Sequence, residues 1–194
     1  MNEEEAGALA KLLFKPNGTL NPQIVGKCAT TLAQMAGFSV PGSTRVLVAR
    51  EQEAGPTRPY SMEKLCPVLA FFVMENEDAV LAKAIEVLEH EGSGHTFSIH
   101  AQDQTVVRKV AMQIPVSRFL VNTPAALGGI GATTSLFPAL TLGCGAVGGS
   151  SSSNNISPLD LVNIRRVAWG QEETPPASDE LVELLTRKIL ERLR

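Results

Sequence analysis

Apolar positions recur along this chain with two different periods, and the switches between them predict its elements. Glu3 to Phe14 is a short helical pattern that opens on acids, which suit the positive end of a helix dipole. Lys15 to Thr19 is a turn. Asn21 then offers an N-cap and Pro22 a first helical position. Val25, Cys28, Ala29, Leu32 and Met35 follow on one face, and Gly37 ends the run. After Gly37 the period changes. "RVLVA" (Arg45 to Ala49) and "PVLAFFVM" (Pro67 to Met74) are short continuous apolar runs, as buried strands are. Asn76 caps a helix whose stripe is Val80, Leu81, Ala84, Val87 and Leu88, with Gly92 as its stop. "HTFSIHA" is a strand. Asp103 caps a helix carrying Val106, Val107 and Val110, ended by Pro115, and "RFLVN" is the next strand.

Strands alternating with helices predict an α/β fold, a largely parallel sheet covered by helices on both faces. Ligands of such sheets sit beyond the carboxyl ends of the strands. From Pro124 to Pro158 the order fades into Gly, Ser and Thr, and residues 1–158 are taken as one domain. Residues 159–169, with "DLVNIRRVAW", regain strand character. Residues 170–177 form a polar, proline-containing linker. Residues 178–194 are an amphipathic tail helix: Ser178 caps it, and Leu181, Val182, Leu185, Ile189 and Leu193 share one face.

Composition narrows the class. The 194 residues are 44% hydrophobic and 19% charged, the balance of an ordinary soluble domain. A net charge of −3 argues against a nucleic-acid binder, which would carry a basic stripe. No apolar run approaches a membrane span, and the acidic start "MNEEEAG" is no signal peptide. Three widely spaced cysteines are no disulfide framework and point to a reducing cytoplasm.

Several residues could carry chemistry. Gly143, Gly145 and Gly148 match G-x-G-x-x-G, but a dinucleotide fingerprint also needs a strand before it, a helix after it and an acid about 20 positions on. Leu136 to Leu142 is apolar enough for the strand. Four serines and two asparagines follow instead of a helix start, and no acid stands at the required distance. The match is a glycine-rich turn. Cys28 falls on an apolar stripe and reads as a small core residue. Cys66 and Cys144 have no sequence neighbour that would lower a thiol pKa. His90, His95 and His100 stand five apart, about 140° around a continuous helix, so they could not share a metal there. His90 is a helix-end histidine. His95, entering a strand after "GSG", is either a general base or carbonyl-polarising group or a hydrogen-bonded structural residue. Glu63, just before a buried strand, is by itself an ordinary loop glutamate.

Four stretches in order, "EKLCPVLAFF", "GSGHTFSIHAQD", "FLVNTPAALGGIG" and "LTLGCGAVGG", resemble the C-terminal half of the CoA-acylating aldehyde dehydrogenases of the ethanolamine- and propanediol-utilisation type. The resemblance runs from about Lys11 to Ala168 and implies the catalytic-domain fold of that family. It implies that Glu63 holds the nicotinamide ribose hydroxyls, that His95 assists proton transfer around a thioester, and that Leu142 and Gly143 touch cofactor through their backbone. It implies NAD or NADP and coenzyme A, no metal, and a short-chain aldehyde oxidised through a cysteine thioester. The family's cysteine lies in a P-C-x-x-E motif that this sequence lacks, so the nucleophile is expected outside this chain. The resemblance further implies a homo-oligomer built through the strand at 159–169. It also suggests a microcompartment lumen reached through binding of the tail helix to shell protein. A binding or assembly module without chemistry of its own is the alternative.

Overall fold

A computed structural model of the protein describes residues 1–170 and 179–192. The chain divides into two compact units, Met1–Leu159 and Asp160–Arg194.

In the first unit, α1 (Glu3–Leu13) begins at a capping box: the Asn2 side chain accepts from the Glu5 amide, and the Glu5 carboxylate accepts from the Asn2 amide. The helix predicted after Asn21 is split. Asn21 caps a single 3-10 turn, Pro22–Ile24, and α2 (Ala29–Met35) starts afresh after Gly26, which sits at φ +70°. The expectation for Cys28 is corrected as a result. It is not a core residue on a helical stripe but the exposed N-cap of α2.

Strands β1 (Leu47–Glu51) and β2 (Val68–Phe72) pair in parallel, Leu47 opposite Val68. The strand expected at Arg45 to Ala49 is shifted because its ends are set by its partner: the Leu47 amide bonds Pro67 O, and pairing runs on through Glu51. Leu47, Ala49 and Val68 pack with Leu9, Leu13, Ile24 and Leu32 in the main core. Full burial of each Leu, Ile or Val side chain there contributes about 1.5–3 kcal/mol. The opposite face is not covered as the sequence predicts: Val48, Leu69 and Phe71 are exposed there.

Next come α3 (Glu77–Glu91), β3 (Gly94–Ile99), α4 (Gln104–Ala111), β4 (Val116–Val121) and the one-turn α5 (Ala125–Gly129). Asn76 and Asp103 cap α3 and α4 as expected. β3 and β4 are parallel, with Gly94 opposite Val116. Leu81, Val110 and Ile114 make a smaller core beside the stacked rings of Phe97 and Phe119. The fold is therefore α/β with parallel strands and helices, but the strands form two separate pairs rather than one sheet.

No strand forms at Leu136 to Leu142. Residues 159–169 contribute to a 3-10 turn, Pro158–Leu161, and beyond it make no strand within the single chain. In the second unit α6 (Asp179–Arg192) is helical, and Leu181, Val182, Leu185 and Ile189 are exposed. The linker at 171–177, the Ser178 cap and Leu193 lie outside the described residues. No helix among the described residues is long and apolar enough to cross a membrane.

Candidate functional site

Glu63 lies in the loop between the 3-10 turn Pro59–Ser61 and β2. Two groups fix that loop. The Glu63 amide donates to the Glu91 carboxylate at the end of α3. The Lys64 ammonium donates to Tyr60 O at 2.5 Å and Met62 O at 2.6 Å, and burial pulls its pKa below the ordinary lysine range. Lys64 was not singled out from the sequence, since its partners are carbonyls that any residue supplies.

His95 is the second residue of β3. Its Nδ1 lies 2.9 Å from Thr96 Oγ1, and the side chain is otherwise exposed. Glu63 and His95 line one cavity of about 610 Å³ together with Glu91, Ser93, Cys144 and Gly148. Leu142 and Gly143 are not in that lining; the loop reaches the cavity through Cys144, Val147 and Gly148. The Leu142 side chain packs instead over Gly129 at the end of α5. Cys144 Sγ stands 3.2 Å from Gly148 O and 3.2 Å from Ser150 Oγ.

Two of the loop's three glycines have their reason here. A Cβ on Gly145, which sits at φ +67°, would fall 1.7 Å from Ser117 Oγ of β4, and one on Gly148 would fall 2.4 Å from Cys144 Cβ. From the strand side, a Cβ on Gly94 would fall 2.0 Å from Cys144 O. The glycines let the loop press against its own strands. No phosphate cradle is needed to explain them.

His90 lies in the last turn of α3, as predicted. Its Nε2 is 3.3 Å from Glu91 Oε1, in ion-pair range but outside hydrogen-bond geometry. His90, His95 and His100 sit at the end of α3, in β3 and beyond β3. Among the described residues no group of three His, Cys, Asp or Glu is placed to hold a metal ion. The sequence also gave no hint of Arg118 and Asn155, both buried, which bind the loop to β3.

Parallel strands, helices and a polar cavity shared by a glutamate, a histidine and a glycine-rich loop make up the candidate site. The chain is 38% identical, over 87% of its length, to aldehyde-alcohol dehydrogenase 2 of Entamoeba histolytica, and spans 20% of that protein. It is 33% identical, over 92% of its length, to the acetylating succinate-semialdehyde dehydrogenase of Clostridium kluyveri, and spans 39% of it. Among solved structures, a probable aldehyde dehydrogenase from Listeria monocytogenes matches at 54% identity and TM-score 0.84, covering 89% of this chain and 38% of that one. An acetylating aldehyde dehydrogenase from Geobacillus thermoglucosidasius matches at 43% identity and TM-score 0.84, covering 90% and 38%. Rhodopseudomonas palustris propionaldehyde dehydrogenase with bound propionyl-CoA matches at 25% and TM-score 0.67, covering 79% and 33%. No family model matches the chain. Its homologues are acylating aldehyde dehydrogenases, oxidoreductases of which it spans a fifth to two fifths.

Proposed function

We propose that this chain supplies part of the cofactor and acyl-transfer site of a CoA-acylating aldehyde dehydrogenase. The reaction turns a short-chain aldehyde, NAD or NADP and CoA into acyl-CoA and reduced cofactor, through a thioester on a cysteine outside the present chain. The nicotinamide, when bound, supplies the hydride acceptor. The Glu63 carboxylate suits that group as an exposed acceptor for ribose hydroxyls, while Leu142 and Gly143, outside the cavity lining, would reach it only through their backbone. His95 moves a proton at the thioester or polarises its carbonyl. The observation that carries this reading is the single cavity shared by Glu63 and His95. In the longer dehydrogenase, His95→Ala should cut turnover by about 10² to 10⁴ while the KM for cofactor changes little. A wild-type rate with an unchanged pH profile would assign His95 to structure alone.

A second role, assembly, is favoured by the exposed apolar residues of the second unit. Residues 159–169 would add a strand to a neighbouring subunit's sheet in a homo-oligomer. The α6 stripe would bind microcompartment shell protein, placing the enzyme in a microcompartment lumen within the cytoplasm. Residues 170–194 fused to a fluorescent protein should then gather at the shell. A diffuse signal, with a lower melting temperature for Leu185→Glu in the parent chain, would assign the helix to the fold.

A further inference from the structure

The stretch from Pro124 to Pro158 has almost no regular structure beyond α5, yet it carries one wall of the candidate site. A buried polar pair holds much of it, beside the Ser117 hydroxyl of β4, which donates to Cys144 O at 2.8 Å. Arg118, on β4 and 3% exposed, spends its guanidinium on three neutral oxygens: Asn155 Oδ1 at 2.7 Å, His95 O at 3.2 Å and Gly143 O at 2.8 Å. Asn155 is 7% exposed, and its Nδ2 donates to Gly129 O and Phe137 O, both at 2.8 Å. Two side chains thus tie four pieces of backbone: β3 at His95, the loop at Gly143, the end of α5 and the segment at Phe137.

Burying a guanidinium is costly unless its N–H groups are used, so this arrangement is not an incidental contact. The planar fork matters as well. One nitrogen, Nη1, reaches both His95 O and Gly143 O, while Nε takes Asn155. A lysine is a point charge and cannot span the same three acceptors. We infer that Arg118 is a positioning residue: it sets the distance between the His95 strand and the Gly143–Cys144 loop, and Asn155 braces it from behind.

The geometric claim needs no activity; only its catalytic consequence rests on the reading of the site given above. Backbone amide exchange in the full 194-residue chain therefore comes first. Arg118→Lys should raise exchange at residues 142–150 by on the order of tenfold and speed alkylation of Cys144, with α1 and α2 unchanged. Asn155→Asp keeps the acceptor for Arg118 but loses the donors to Gly129 O and Phe137 O. It should loosen residues 130–139 and leave 142–150 protected. Ser98→Ala, which removes a 2.6 Å bond from β3 to Thr123 O, is the control and should leave 142–150 unchanged. Unaltered protection at 142–150 in Arg118→Lys, or an equal rise in Ser98→Ala, overturns the proposal. Should Arg118→Lys fail to fold, the Asn155→Asp pattern decides: selective loosening of 130–139 supports it, and equal loosening of both segments overturns it. In the longer dehydrogenase, Arg118→Lys should lower kcat by roughly tenfold or more with the cofactor KM within about twofold. A loosened loop with unchanged kcat would sink the catalytic reading of the site and leave the positioning role standing.

Discussion

At the scale of single residues, environment separates side chains of one type. Cys28 and Cys66 are both free thiols, but they are held in opposite ways. The hydroxyls of Thr30 and then Thr31, helped by backbone amides, hold the exposed Cys28 thiol down to about 7. Burial pushes the Cys66 thiol up, against the weaker pull of Lys64. Cys28 should thus be half thiolate near pH 7, and below that its reactivity should fall. Site-resolved alkylation at pH 7.5 should label Cys28 first and Cys66 last; the reverse order would contradict these environments. Glu63 offers a second test at this scale. Glu63→Gln in the longer dehydrogenase replaces a charged acceptor by a weaker one and should cost about 1–3 kcal/mol in kcat/KM for cofactor. Unchanged steady-state constants would remove Glu63 from the site.

At the scale of elements, Tyr60 shows how one side chain locks α1 onto the strand pair. Its hydroxyl donates to Ala6 O at 2.7 Å inside the main core. Burial first, and the Glu51 charge second, push its ionisation far above the usual tyrosine range. A folded-state pKa raised above the unfolded value means the stability it contributes is intact below about pH 10 and lost as pH rises beyond it. Tyr60→Phe should cost about 0.5–1.5 kcal/mol at neutral pH and fall less steeply than the parent between about pH 10 and 12. Parallel stability curves above pH 10 would show that Tyr60 carries none of the alkaline loss. Legibility from sequence divides along similar lines. The caps at Asn76 and Asp103 were readable because each residue bonds an amide two or three positions on. The break at Gly26 hid Cys28, because an apolar stripe looks continuous across a residue that permits either conformation. The Arg118–Asn155 pair left no trace, since its members stand 37 positions apart and most of their acceptors are carbonyls. Glu63 became a candidate only through family resemblance, and His95 through that resemblance and its place at the entry of a strand.

At the scale of the whole molecule, the uncovered face of the first strand pair stands out. Parallel strands are ordinarily buried on both sides, yet Leu69 and Phe71 are each 56% exposed. Contiguous exposed apolar surface promotes association. The double change Leu69→Lys with Phe71→Lys should reduce dye binding and self-association of this chain without lowering its melting temperature. Leu32→Ala in the main core should instead cost about 2–5 kcal/mol. A large loss of stability from the double lysine change would show that this face is already packed in solution.

The separate strand pairs also bear on how the chain reaches its fold. Each joins positions only about twenty residues apart, so both can close while the rest of the chain is still open. The Gly143 loop has no ladder of its own; its ties from Ser117 and Arg118 wait on β4, and the Asn155 brace is completed last. During synthesis, then, the wall of the candidate site is the last part of the first unit to set, after both strand pairs.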